Sequence, residues 1–356
     1  MALRASWGIT GNQEFPAGAS GEQFNLRSYN NGGLTNVPNP NLKWEQTTQY
    51  DFGLDYSLLN GRLFGSFDYY NKNTTNILFQ NNAIQPAPAA IYYINLPGHN
   101  MNTGVEFSLG AVVVDKQDFG WNVNFNIAYN KNKVTDFLDP NTKLPLQILT
   151  GQVNGQGVSG SYAQIITNNQ PVDAFYLKPF GGFDASGSQI IGTNPVIAGD
   201  PNPHTIYGIN TDLRYKKFSL TINTGGAGGY LIYNNTATSV TNIAGISQGR
   251  NIDKAAFNSP EKPSSGVAAS TRFLESGNYF KLRNATINYQ IGSVGKYIKN
   301  MTAFVSGTNL FVITKFTGFD PEVNIDKSYN GYPSRSIEYI PYPTPRVITL
   351  GLNFSL

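Results

Sequence analysis

Groups able to do chemistry are few in this chain and poorly arranged for it. Its two histidines, His99 and His204, lie far apart in the sequence. Neither is expected to have an acid or thiol beside it, so neither fits a general base or a metal ligand. Cysteine is absent, which removes disulfide frameworks, zinc thiolate sites and thiol nucleophiles. Gly225-Gly226-Ala227-Gly228-Gly229 follows an alternating apolar run, as a phosphate loop does. It lacks the Lys-Ser/Thr pair and the helix that phosphate binding needs, and reads as a supple strand exit. Asp51 and Asp55 share the polar face of an alternating stretch, where lining a hydrated interior explains them better than acid–base work. Asp320 and Glu322, in a loop, are candidates for a calcium ion or a sugar hydroxyl, weighed against plain solvation. Tyr92, Tyr93, Tyr329, Tyr332, Tyr339 and Tyr342 fall in long loops, where rings can stack on sugars or pack on peptide side chains, or simply cap a fold. No catalytic constellation survives, no cofactor is implied, and an enzyme is not expected.

The elements that must position these groups are strands. From Gln49 to Leu58 the even positions are apolar (Tyr50, Phe52, Leu54, Tyr56, Leu58) and the odd ones polar or small (Gln49, Asp51, Gly53, Asp55, Ser57). That period of two marks a strand with one apolar and one polar face. Asn60-Gly61 then supplies residues that tolerate positive φ in a type I′ hairpin turn. Leu63, Phe67 and Tyr69 resume the alternation against Arg62, Ser66 and Asp68. Arms of about ten residues exceed the usual soluble strand and match the nine to eleven that cross a bilayer at a tilt of roughly 45°.

Composition leaves room for such a membrane strand. Charged residues make up only 13% of the 356, against a usual share of about 25%. Aromatics also reach 13%, which argues against disorder. A net charge of +3, with scattered Lys and Arg, gives no footprint for nucleic acid, which is not expected as a partner. No apolar run has the length of a membrane helix and the mean hydropathy is −0.28, which argues against a helical membrane protein but not against a barrel.

The pattern repeats along the chain. Leu3–Ile9 is a first strand. Val105, Phe107, Leu109, Ala111 and Val113 alternate with polar or small residues, and a short turn at Asp115–Asp118 leads to Trp121, Val123, Phe125, Ile127 and Tyr129, set against Asn122, Asn124 and Asn126. Ser161–Thr167 and Val172–Phe180 read as a further, less regular hairpin. His204–Tyr215 and Lys217–Thr224 turn at Lys216-Lys217. Tyr279–Ile291 shifts its apolar phase near Arg283-Asn284, which predicts a β-bulge. Met301–Phe311 and Ile348–Leu356 complete about twelve strands, joined alternately by short turns and long loops. That is the pattern of an all-β, antiparallel transmembrane barrel, with short periplasmic turns and long extracellular loops. Tyr50, Phe52, Leu54, Trp121, Phe125, Leu350, Leu352 and Phe354 are predicted to face lipid. Tyr50, Trp121, Tyr129 and Tyr279 lie near strand ends, where interfacial aromatic girdles sit. Two other readings share the alternation: a soluble, glycan-binding β protein, and an autonomous twelve-stranded pore in which Leu3–Ile9 pairs with Ile348–Leu356.

Specific motifs carry a family likeness. Arg4-Ala5-Ser6-Trp7-Gly8 with Thr10-Gly11-Asn12-Gln13, Asn39-Pro40-Asn41-Leu42-Lys43-Trp44-Glu45, and Phe67-Asp68-Tyr69-Tyr70 open the series. Asn102-Thr103-Gly104-Val105-Glu106-Phe107 and Ala128-Tyr129-Asn130-Lys131-Asn132-Lys133 continue it. Gly199-Asp200-Pro201-Asn202-Pro203, Leu282-Arg283-Asn284-Ala285-Thr286, Ser306-Gly307-Thr308-Asn309-Leu310-Phe311, Phe319-Asp320-Pro321-Glu322 and Pro345-Arg346 complete it. In this order they resemble the SusC/RagA family of TonB-dependent outer-membrane transporters of Bacteroidetes. The terminal Phe354-Ser355-Leu356 resembles the end signal read by barrel-insertion machinery.

The resemblance implies nutrient import, of oligosaccharide or peptide, from an outer-membrane location. Its implied partners are a SusD-like surface lipoprotein that closes as a lid, the TonB complex, a glycan or peptide ligand, and outer-membrane lipid. Family members carry a signal sequence, a plug, a TonB box and a barrel of roughly 22 strands. Residues 1–356 resemble the C-terminal part of that barrel only; the plug, TonB box and signal peptide have no counterpart, so the chain is expected to be a fragment.

Overall fold

The computed structural model describes residues 1–13, 16–25, 33–84, 86–155, 157–263, 265–323, 325, 327–328 and 334–355. Ten strands form one antiparallel ladder: β1 (Ala2–Asn12), β2 (Glu45–Leu58), β3 (Leu63–Thr75), β4 (His99–Asp115), β5 (Phe119–Thr135), β6 (Thr205–Tyr215), β7 (Phe218–Gly228), β8 (Tyr279–Val294), β9 (Ile298–Thr314) and β10 (Val347–Ser355). They neighbour one another in chain order, and short and long connections alternate, so every long loop leaves from the same end.

Register turns the period of two into two continuous faces. Leu3 pairs with Leu54, Leu54 with Phe67, Phe67 with Phe107, Phe107 with Ile127 and Ile127 with Tyr207, an apolar row across six strands. One residue along, Arg4, Gly53, Asp68 and Glu106 form the matching row on the opposite face. Gly53 has a reason in this row. An added Cβ there would lie 2.5 Å from the Asp68 carboxylate and 2.8 Å from the Arg4 guanidinium, so its absence lets the two meet across β2.

Several expectations hold in detail and some need correction. The bulge near Arg283-Asn284 is present, because the register shifts between Leu282 and Asn284 against both neighbours. The turn of the opening hairpin begins one residue before Asn60-Gly61. Leu59, Asn60 and Gly61 all have positive φ (53°, 55° and 83°), and pairing ends at Leu58–Leu63 because Leu59 has already left the ladder.

The count of about twelve barrel strands is too high. Tyr162–Thr167 and Ala174–Leu177, the predicted sixth and seventh, pair with Gln147–Gln152 and Val196–Gly199 in a separate four-stranded sheet. Their apolar side chains serve a different core: Phe175 and Leu177 pack with Val153, Val158, Tyr233, Phe273 and Ile337. The closed twelve-stranded pore also requires a pairing that is not found. Among the described residues β1 pairs with β2 and β10 with β9, and the two do not pair with each other.

The long loops thus build a layer of their own over one end of the ladder. Leu231–Asn234 pairs antiparallel with Leu274–Ser276 and parallel with Ile337–Glu338, which ties segments from two connections together. Short helices at Asn235–Val240 and Lys254–Phe257 complete the layer, their first turns capped by Asn234 and Asp253 accepting from backbone amides. Among the described residues no helix is long and apolar enough to cross a membrane.

Candidate functional site

The polar face of the ladder is a hydrogen-bonded network running from strand to strand. Arg4 donates to both Asp55 oxygens (2.7 and 2.9 Å) and to Asp68 (2.7 Å). Asp51 accepts from Ser6 (3.3 Å) and Gln49 (2.6 Å), so Asp51 and Asp55 are held in separate partnerships rather than as an acid–base couple. Ser66 and Ser108 meet at 2.9 Å, and Tyr70 donates to Asn130 at 2.9 Å. Asn132 reaches Asn100 and Asn102, and Asn284 reaches Ser306. The asparagines that disfavour strands are tolerated because this face supplies them with partners.

At the long-loop end this face enters a cavity of about 740 Å³. Its floor is one inner row of the ladder, Ile206 paired with Ala227 and Ala227 with Tyr279. Its walls come from the loops: Pro201 and Pro203, Tyr230, Val323, and the segment Ser334-Arg335-Ser336. Two of the sequence candidates lie beside it. Glu322 accepts from Tyr279 (2.9 Å) and Arg283 (2.5 Å) on one oxygen and from Lys281 (2.8 Å) on the other. Asp320 accepts from Lys281 at 2.9 Å and from the Glu322 amide at 2.9 Å. Burial works to raise the Glu322 carboxyl, but the bonds from Lys281, Tyr279 and Arg283 outweigh it and hold the group below its usual value. Both carboxylates are therefore matched by cations of β8, and they clamp the loop after β9 to the ladder. That arrangement does not favour a calcium ion, and no group of three acidic or histidine ligands occurs among the described residues.

The remaining candidates are dispersed. Tyr93 is buried in the small Ile77–Asn82/Ile91–Leu96 hairpin, and the hydroxyl of Tyr92 accepts from Asn81 at 2.8 Å. Tyr329 and Tyr332 lie outside the described residues. Tyr342 is exposed, whereas the ring of Tyr339 carries the Lys327 ammonium 3.9 Å from its centroid. The expectation that neither histidine has an acid beside it is wrong. His204 Nε2 lies 2.9 Å from Asp200, four residues earlier in the same loop, and His99 lies 4.0 Å from Asp136. His204–Asp200 belongs to a turn network that also holds Asn202.

Tyr50, Phe52, Trp121, Leu350, Leu352 and Phe354 are exposed, while Leu54 and Phe125 are partly covered. The register sets all eight on the face opposite Arg4, Asp68 and Ser108.

Lys281, Tyr230, Ser334 and Arg335 were not singled out in the sequence, and Arg283 only for the bulge and a family motif. Their significance depends on contacts such as Lys281 with Asp320, 39 residues away, which no local spacing announces.

Comparison with known proteins agrees with this architecture. The family model described as TonB dependent receptor-like, beta-barrel, matches residues 1–310. The TonB-dependent receptor P3 of Formosa agariphila is 28% identical over 98% of this chain, and the TonB-dependent receptor SusC of Bacteroides thetaiotaomicron 26% identical over 99%. The chain spans 39% and 37% of those two proteins. The structure of the RagAB peptide transporter superposes with a TM-score of 0.79 at 22% identity, over 99% of this chain and 40% of that one.

Proposed function

This chain belongs to the TonB-dependent receptor β-barrel family, and from that premise we propose that it forms wall and loops of a nutrient importer. Members such as SusC are outer-membrane proteins, and the outer membrane is its location. Its curated relatives are TonB-dependent receptors, and the solved structure that shares its fold is a peptide transporter. The observation that carries the reading is the ladder itself. Ten antiparallel strands present apolar side chains on one face and a hydrogen-bonded polar network on the other, which suits lipid outside and a hydrated lumen inside.

In this reading Tyr50, Phe52, Leu54, Trp121, Phe125, Leu350, Leu352 and Phe354 face lipid, and residues 1–356 correspond to the C-terminal part of the barrel. The loop layer is extracellular. It meets a SusD-like surface lipoprotein and contributes contacts to an oligosaccharide or peptide. Of the loop candidates, Glu322 lines the cavity and Asp320 shares Lys281 with it, while Tyr92 is a further candidate contact. TonB drives release through other parts of the assembled transporter.

The test is to delete the coding sequence from the organism that carries it and to follow uptake of labelled oligosaccharide and peptide mixtures. Loss of uptake of some oligomer, restored by the intact gene and abolished by a protonophore, is the expected result. Uptake unchanged by deletion for every oligomer would sink the transport reading.

A further inference from the structure

The cavity over β6, β7 and β8 has a charge asymmetry that the transport reading leaves unexplained. Its cations on β8, Lys281 and Arg283, are both engaged by Asp320 and Glu322. Arg335 is not. Its side chain is exposed, lines the cavity and makes no ion pair with any described residue. Asp173 feels its charge, but that side chain is buried, accepts from Thr150 at 3.0 Å and makes no ion pair with Arg335. Among the described residues the cavity therefore keeps one unmatched positive charge.

That charge is held in place by its backbone rather than by a counter-ion. The Arg335 carbonyl accepts from the buried Gln164 side chain at 2.6 Å. The Ser336 hydroxyl donates to the Pro201 carbonyl at 2.7 Å, and the Ser336 carbonyl accepts from the Tyr233 amide at 2.9 Å. A second group points the same way: the Ser334 hydroxyl is buried and has no hydrogen-bond partner among the described residues. A buried donor without a partner is unfavourable unless something arrives to accept from it. Ile206, Ala227, Tyr230 and Val323 give the cavity around both groups apolar walls. The volume of about 740 Å³ suits a few sugar or amino-acid units.

We propose that this cavity is a binding subsite for an oxyanion, a carboxylate or sulfate, carried by the imported oligomer, with Arg335 as its cation and Ser334 as its hydrogen-bond donor. The inference rests on the transport reading and adds the chemical class of the group held. Guanidinium and carboxylate or sulfate match as a two-pronged, charge-assisted pair.

The experiment uses protein purified in detergent from its native outer membrane with whatever accompanies it, and isothermal titration at low and high salt. Three acidic probes are compared with neutral counterparts: a galacturonate trimer with its methyl ester, a sulfated galactose trimer with the unsulfated trimer, and an N-acetylated, C-amidated glutamate tripeptide with the equally capped glutamine tripeptide. At least one acidic probe is expected to bind about tenfold or more tightly than its counterpart, and less so at high salt. Which pair responds identifies the source of the oxyanion. Arg335→Gln should abolish the preference and Arg335→Lys retain part of it, and Ser334→Ala should weaken the acidic probe only. Heat-modifiable migration confirms that each variant is folded.

Equal affinity within every pair, absence of acidic binding, or a preference that survives Arg335→Gln overturns the proposal. If oligomer uptake still depends on the gene in those cases, the transport reading stands and this inference alone fails.

Discussion

The ladder and the loop layer solve the burial problem in opposite senses. Among the largest fully buried side chains are Tyr233, Phe175, Ile165, Leu177, Ile232 and Ile337, and all six lie in the loop layer. The ladder instead turns its apolar residues outward, with Leu350 76% and Phe52 56% exposed, and bonds its polar ones to each other inside. One region is built as a soluble core is, with apolar side chains packed against their own kind. The other is built for a surrounding solvent that is itself apolar. The difference teaches that alternation in this sequence reports which solvent each face meets.

The largest effect should come from the soluble-type core. Phe175→Ala empties a fully buried site against Tyr233 and Leu177, and truncations of this kind cost about 3–5 kcal/mol. The loop layer should become sensitive to protease while the ladder keeps its heat-modifiable migration. Loss of that migration as well would break the separation between the two regions. Next comes the lipid face. Leu350→Arg should cost about 2–4 kcal/mol in denaturant titrations in bilayers if the residue sits near mid-depth. A change of a few tenths of a kcal/mol would mean that this face meets water.

The same contrast explains what the sequence could disclose. Every ladder strand was legible because its period of two survives along its length and its partner is the next strand in the chain, as with Phe67 and Leu54. The bulge at Arg283 was legible because the apolar phase slips there. Ala174–Leu177 was assigned to the barrel because Phe175 and Leu177 alternate as a lipid-facing strand does, and periodicity does not say whether lipid or a packed core lies opposite. The cavity was illegible for a different reason. Tyr279, Pro201 and Arg335 come from three distant segments, and only folding brings them to one wall. Asp320 and Glu322 were visible as acids, but their matching by Lys281 and Arg283 was not.

Acidity should act on the loop layer in a defined direction. Burial pushes the Asp173 carboxyl from 3.8 up to about 6, with the Thr150 bond and Arg335 opposing. The folded state therefore holds this proton more tightly than the unfolded chain. Its contribution is fully present below about pH 4 and is lost as pH rises through about 6, at most about 3 kcal/mol in all. Asp173→Asn should flatten that part of the stability–pH curve, followed by loop-layer unfolding between pH 4 and 7. An unchanged slope would place the titration elsewhere.

The finest comparison sets two hydroxyls side by side. Ser108 in the ladder accepts from the Ser66 amide and meets its hydroxyl, both at 2.9 Å. Thr150 in the loop layer is fully buried and donates to Asp173, whose other oxygen has no hydrogen-bond partner among the described residues. Thr150→Val should cost about 1–3 kcal/mol, because it strips a buried carboxyl of its bond. Ser108→Ala removes a bond of similar length, but on a face where water can take over the freed Ser66 groups, so its cost should fall below about 1 kcal/mol. Parallel denaturant titrations of the two variants measure the gap directly. If Ser108→Ala costs as much as Thr150→Val, the polar face is dry, and the network there is a packed interior rather than the lining of a hydrated passage.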